Sequence, residues 1–261
     1  RCRSAGTRQG AADGLSLVGF DQLSGTRMQS TDTHALLAKL PEHEATYRRL
    51  RDMVLFGVMA PGQKVTIQGI TRSLDAGMTP VREAIRRLTA EGALELHENR
   101  RVSVPRLTPS QLDEISFARL AVEPRLAMAA MARMRPQDIE ALARIDGEID
   151  AAIERMDVHG YLAGNFRFHF AIYEIAAAPI LLSLTQSLWL RFGPSLRVVI
   201  ESEASIGPDR HRDAMAAMRA QDARALSEAI EADIAQGMER VRTELENAAS
   251  GGAEQGGAEK I

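Results

Sequence analysis

From Thr108-Pro109 to Leu245, every apolar run in this chain recurs at helical spacing and none alternates in the manner of a strand. Leu112, Ile115, Val122 and Leu126 form one stripe; Ile139, Leu142, Ile145, Ile149, Ile153 and Met156 form a second. Leu162, Phe166, Tyr173 and Ala176 follow, then Leu181, Leu184, Leu188, Phe192 and Leu196. Met215 with Met218, and Leu226, Ile230, Ile234 and Val241, complete the series. Helices of this kind bury their stripes only against one another, so residues 107–246 are expected to form an all-α bundle of six or seven helices. Pro124 predicts a kink, and Gly193-Pro194 a break. An aromatic content of 4% also suits a bundle better than a sandwich. Residues 247–261 read as a flexible tail.

Residues 41–106 have a different grammar. Glu44–Phe56 reads as a helix with Tyr47, Leu50 and Val54 on one side, ended by Gly57 and the Ala60-Pro61-Gly62 turn. Thr66 can cap a short helix carrying Ile67, Ile70 and Leu74. Thr79-Pro80 reads as an N-cap with proline at the first helical position, opening a helix that turns Val81, Ile85 and Leu88 inward. Leu94–Leu96 and Val102–Val104 alternate like strands around His97–Arg101. Three helices closed by a hairpin make a winged helix-turn-helix, and the chain as a whole is mainly α. Residues 1–40, rich in Gly, Ser, Thr and Arg without a period, are expected to be a disordered leader.

Charge divides along the same line. Residues 41–106 hold eleven basic and eight acidic side chains, whereas 107–261 carry a net −8. Only the first module is suited to a polyanion. The one cysteine, Cys2, excludes a disulfide scaffold and a Cys-based zinc site and fits a reducing cytoplasm. No apolar run approaches the ~20 residues of a membrane span.

With Val81, Ile85 and Leu88 buried, Arg82 and Arg86 face outward one turn apart. That is the placement by which a recognition helix reaches guanine edges in the major groove of double-stranded DNA. Thr79 and the first-turn amides can hold a phosphate, and Asn99, Arg100 and Arg101 at the hairpin tip suit the backbone or minor groove. A surface helix whose arginines merely pair with Glu83 is the plain alternative.

The stretches Pro61-Gly62-Gln63-Lys64-Val65, Thr79-Pro80-Val81-Arg82-Glu83-Ala84-Ile85-Arg86-Arg87-Leu88 and Glu91-Gly92-Ala93-Leu94 closely resemble the GntR family of regulators. The resemblance implies that Thr79, Arg82 and the wing contact operator DNA. Three positions depart from the family pattern. Gly77-Met78 stands where Ser-Arg is common, Gln68 where an arginine is common, and Arg101 where the wing turn usually has glycine. Fewer cationic contacts at Met78 and Gln68 predict a flatter salt dependence of DNA binding.

Four polar residues interrupt the inward stripes of the bundle: Asn165 and His169 at i, i+4, then His211 and Asp233. Buried polar groups cost several kcal/mol unless satisfied, so such a set from three helices suggests a shared polar centre. Two imidazoles, a carboxylate and an amide oxygen can bind a divalent metal with positions left open. Satisfied core residues are the alternative for each one alone. Residues 110–245 resemble the FCD ligand-binding domain, through Arg119-Leu120-Ala121-Val122-Glu123, Asn165 with Phe168-His169, His211-Arg212 and Asp222-Ala223 with Asp233. The resemblance implies a zinc, nickel or manganese ion held by those four positions, with Asn replacing the usual acid and Asp the last histidine. It also implies a small carboxylate effector, a homodimer on a palindromic site, and repression of metabolic genes. Arg119, Arg191 and Arg197 are candidates to pair the effector's carboxylate. A metal-dependent hydrolase on the same ligands is the rival reading, but no separate general base is evident and it leaves the winged helix unexplained.

Overall fold

The computed structural model describes residues 40–98, 101–201 and 210–256. The expected leader up to residue 39, the wing-tip pair Asn99-Arg100 and the last five residues lie outside the described residues.

Helix α1 (Glu42–Leu55) buries Tyr47, Leu50 and Val54 as its stripe requires. A strand β1 (Lys64–Thr66) then leads into α2 (Ile67–Leu74), whose N-cap Thr66 accepts the Gly69 amide on Oγ1 at 3.0 Å. Helix α3 (Met78–Ala90) buries Val81, Ala84, Ile85 and Leu88. Its cap is Gly77, in extended conformation, rather than Thr79, and Pro80 falls inside the first turn. The first turn tolerates this because its amides have no intrahelical partner to lose. Strands β2 (Glu95–Leu96) and β3 (Arg101–Ser103) form the hairpin. The sheet has three strands rather than the expected two, in the order β1-β3-β2, with both pairings antiparallel. β1 is too short to show alternation, and its pairing, Val65 opposite Val102, is non-local.

Six helices follow among the described residues: α4 (Pro109–Met131), α5 (Pro136–Glu154), α6 (Val158–Ile175), α7 (Pro179–Glu201), α8 (Arg210–Arg219) and α9 (Ala223–Gly256). Thr108 and Gln111 close a reciprocal capping box at the start of α4. Pro124 and Pro194 both lie inside continuous helices, so the expected break at Gly193-Pro194 is absent. There Gly193 is seated on α1, where a Cβ would come within 2.9 Å of Leu55 Cδ1. Packing of that kind offsets one lost backbone hydrogen bond. Helix α9 runs on to Gly256, past the start of the expected tail at 247. Met156 and Leu184 are exposed despite their stripes, Met156 because it leaves α5 in a left-handed conformation. No helix among the described residues is long and apolar enough to cross a membrane.

The larger core lies within the bundle and includes Leu112, Leu126, Leu142, Phe168, Ile172 and Ile230. The core of the winged module does not close on itself: it takes in Phe170 from α6 and Trp189 and Leu190 from α7. Each is at most 5% exposed. At about 1.5–3 kcal/mol per buried side chain, these three contribute several kcal/mol to holding the two halves together.

Candidate functional site

On α3 the buried face fixes the opposite face. Arg82, Glu83 and Arg86 are exposed, and they line an open groove with Thr79, Pro80, Glu42 and His43. Arg86 pairs with Glu83 at 2.6 Å, as the plain alternative required, but both side chains are more than half exposed. An exposed pair contributes about 0–1 kcal/mol, so little opposes its exchange for a phosphate or a base. Arg82 makes no ion pair among the described residues. Arg87, by contrast, lies over the Tyr47 ring at 3.5 Å and bonds Glu44 and Glu91, and so serves the module's own structure. Gly77 offers no side-chain cap, which leaves the first-turn amides without a side-chain acceptor. Met78 is 37% exposed, with its sulfur 3.8 Å from Thr71 Oγ1, and Gln68 is exposed on α2. Arg101 opens β3 and is exposed; Arg100 lies outside the described residues.

Inside the bundle, His169 on α6, His211 on α8 and Asp233 on α9 bring one donor atom each to within 4.8 Å of one another. His169 Nε2 lies 3.1 Å from Asp233 Oδ2. The approach is out of line for a hydrogen bond, so this fully buried nitrogen has no hydrogen-bond partner among the described residues. Its other nitrogen, Nδ1, is 3.1 Å from the Tyr173 hydroxyl, which donates to Glu123 Oε2 at 2.8 Å. His211 Nδ1 is 3.3 Å from Asp146 Oδ1. Burial pushes the Asp233 carboxyl up, but the contact with His169 and the charges of His211 and Arg119 outweigh it and hold it at about 2. An ionised carboxylate beside an orphaned imidazole nitrogen, each imidazole braced on its far side, fits a divalent ion. Donors of a tetrahedral zinc site stand roughly 3.4 Å apart, so the cluster needs to contract by at most about 1.4 Å.

Asn165 is buried one turn before His169 and lines a cavity of about 50 Å³ beside the cluster. The same cavity is walled by Asp233, Arg119, Tyr161, Gln236 and Arg240, with Trp189 and Phe192 as its apolar side. Burial, with Asp233 adding, pushes the Tyr161 hydroxyl up to about 12, so it stays a donor.

The three candidate effector arginines separate. Arg119 does line the cavity, but its guanidinium is committed to Glu123 at 2.6 and 3.2 Å and lies over the Trp189 and Phe192 rings. Arg191 and Arg197 face the winged module instead. Arg191 donates to the Glu91 carbonyl at 3.2 Å, and Arg197 to the Gly57 carbonyl. Neither lines the cavity.

Residues 42–104 match the bacterial regulatory proteins of the gntR family, and residues 114–236 match the FCD domain. Over 153 residues the chain is 31% identical to the HTH-type transcriptional regulator McbR of Escherichia coli (strain K12), covering 59% of this chain and 69% of McbR. This chain belongs to the GntR family. Its helical half is an FCD domain. The structure of E. coli McbR/YncC superposes with a TM-score of 0.69 at 25% identity, over 78% of this chain and 98% of that one. A further relative, a regulator from the TAR-I ttuE-ttuC' intergenic region of Agrobacterium vitis, is 30% identical over 137 residues, or 51% of this chain and 80% of its own length. The chain is therefore a DNA-binding transcriptional regulator of the GntR/FCD type and not an enzyme.

Several residues of this FCD domain were missed by sequence reasoning. Asp146 sits beside Ile145 and Ile149 on α5, so its polarity passed for the edge of a stripe. Tyr173 was legible as a stripe residue four positions after His169, but its hydroxyl's role was not. Tyr161, Gln236 and Arg240 carried no signal, because only the tertiary fold brings residues of α6 and α9 to one cavity.

Proposed function

We propose that the chain acts as a homodimer on a palindromic operator, with its affinity set by a small carboxylate bound in the FCD cavity. The observation that carries this reading is the orphaned, fully buried His169 Nε2 within the His169, His211 and Asp233 cluster, opening on a polar cavity. His169, His211 and Asp233 would hold a zinc, nickel or manganese ion, with the Asn165 amide oxygen a fourth donor at the cavity wall. Such an ion supplies a coordination position for an anionic oxygen. Tyr161, Gln236 and Arg240 are placed to receive the rest of a carboxylate, and Arg119 supplies positive charge behind them. In this reading the protein is a cytoplasmic repressor of metabolic genes that the acid releases from DNA.

On the DNA side, Arg82 reads a base, Arg86 joins it by leaving Glu83, and Thr79 with the α3 amides holds a phosphate. Met78, Gln68, Arg100 and Arg101 would flank that contact. The experiment is recovery of fragments of the source genome by the purified full chain at physiological salt, with random DNA as competitor. Enrichment of a few fragments sharing a palindrome is expected. Uniform weak recovery that modest salt abolishes would remove the reading.

A further inference from the structure

The ligand cavity and the recognition helix are joined by one helix, α7, through a continuous series of contacts. Trp189 walls the cavity, lies 5.2 Å from the His169 ring, and donates from Nε1 to Glu123 Oε2 at 3.1 Å. The same ring belongs to the core of the winged module, where it meets Phe166 and Phe170 edge-on at 5.7 Å. Two residues on, Arg191 donates to the carbonyl of Glu91, the C-cap residue of α3. Its guanidinium closes over Gly92, whose φ of +74° and lack of a Cβ make the seat: a Cβ there would come within 3.1 Å of Arg191. Glu91 in turn fixes α3 to α1, because its carboxylate accepts from Tyr47 and Arg87.

The cavity, of about 50 Å³, has room for at least a few water-sized groups. A ligand seated there meets α7 directly, through Trp189 and Phe192. Arg119 is held by its buried pair with Glu123, and Trp189 and Phe192 form the cavity's apolar side on a single helix, α7.

We propose that Arg191 is a positioning residue for DNA binding, by which α7 carries the occupancy of the FCD site to the C-terminal end of the recognition helix. The proposal rests on the functional reading above. It deepens that reading by naming the element that differs between the two states, which any effect of a distant ligand requires.

The test needs no operator, so a failure to select DNA is a separate result. Hydrogen exchange of the Glu91–Leu94 amides is followed in the full-length protein with and without zinc ion, the probe. Trp189, the chain's one tryptophan, reports zinc binding by its fluorescence. In the unmodified protein zinc is expected to slow exchange at Glu91–Leu94 by about five-fold or more. Arg191→Ala should bind zinc with the same fluorescence change yet lose that response, and Arg191→Lys, which keeps a donor, should retain part of it. Arg191 is solvent-exposed, so neither variant threatens folding. An equal response in Arg191→Ala overturns the proposal, as does zinc binding without any response in the unmodified protein. Failure to bind zinc at all removes the metal centre and the proposal together.

Discussion

Removing the Glu123 carboxylate should cost more stability than any other single change in the FCD domain. Glu123 is fully buried and accepts four hydrogen bonds: two from Arg119, one from the Tyr173 hydroxyl and one from the Trp189 indole. Glu123→Ala strands the Arg119 guanidinium, itself 2% exposed, in an apolar setting. Leaving one partner of a buried pair uncompensated costs about 3–5 kcal/mol, and each stranded neutral donor costs about 1–3 kcal/mol more. These terms share one site and do not add fully, so about 4–6 kcal/mol is expected. That is a large part of the ~5–15 kcal/mol that holds a domain folded. Urea unfolding followed by circular dichroism would show the midpoint fall with little change in slope. The control is the double variant Arg119→Met with Glu123→Leu, which removes both charges and fills the space. It should be more stable than Glu123→Ala by at least about 1 kcal/mol, because no charge is left unpaired. A double variant as unstable as the single one would refute the assignment of the cost to a stranded charge.

Other consequences can be checked as directly. His169→Ala should lose bound zinc by at least about ten-fold in affinity, measured by metal analysis after dialysis; unchanged metal content would exclude His169 as a ligand. Gly164→Ala should destabilise by about 1–3 kcal/mol, since its Cβ would stand 2.6 Å from Ile149 Cγ1, and a neutral thermal scan would contradict that packing. Burial raises all three tyrosines: Tyr47, beside Glu91, and Tyr161, beside Asp233, to about 12, and Tyr173, beside Glu123, well above 10. Groups raised in the folded state contribute stability that is full below pH 10 and lost as pH climbs from 10 toward 12. Tyrosinate absorbance should therefore rise only with alkaline unfolding; a tyrosine titrating near pH 10 in the folded protein would be inconsistent with these sites.

What the sequence made legible follows from locality. Thr66 and Thr108 cap helices because capping needs only a side chain and an amide three residues on. The outward Arg82 and Arg86 follow from helical spacing against Val81, Ile85 and Leu88. His169, His211 and Asp233 stood out because each breaks an apolar stripe, which says that each faces inward; three such residues on different helices had few places to meet. The positions of Arg191 and Arg197 were not legible for the opposite reason. Their partners are backbone carbonyls at Glu91 and Gly57, far away in sequence and carrying no side-chain signal. β1 and Asp146 were hidden likewise, one by its brevity and the other by a neighbouring stripe.

In the proposed function α3 reads base sequence through Arg82. That role is tested most directly by the affinity of Arg82→Ala for a genome fragment selected by the unmodified protein, set against its affinity for random DNA at the same salt. A loss of about ten-fold or more is expected on the selected fragment, with binding to random DNA changed little. An equal loss on both would place Arg82 on the phosphate backbone and contradict that role.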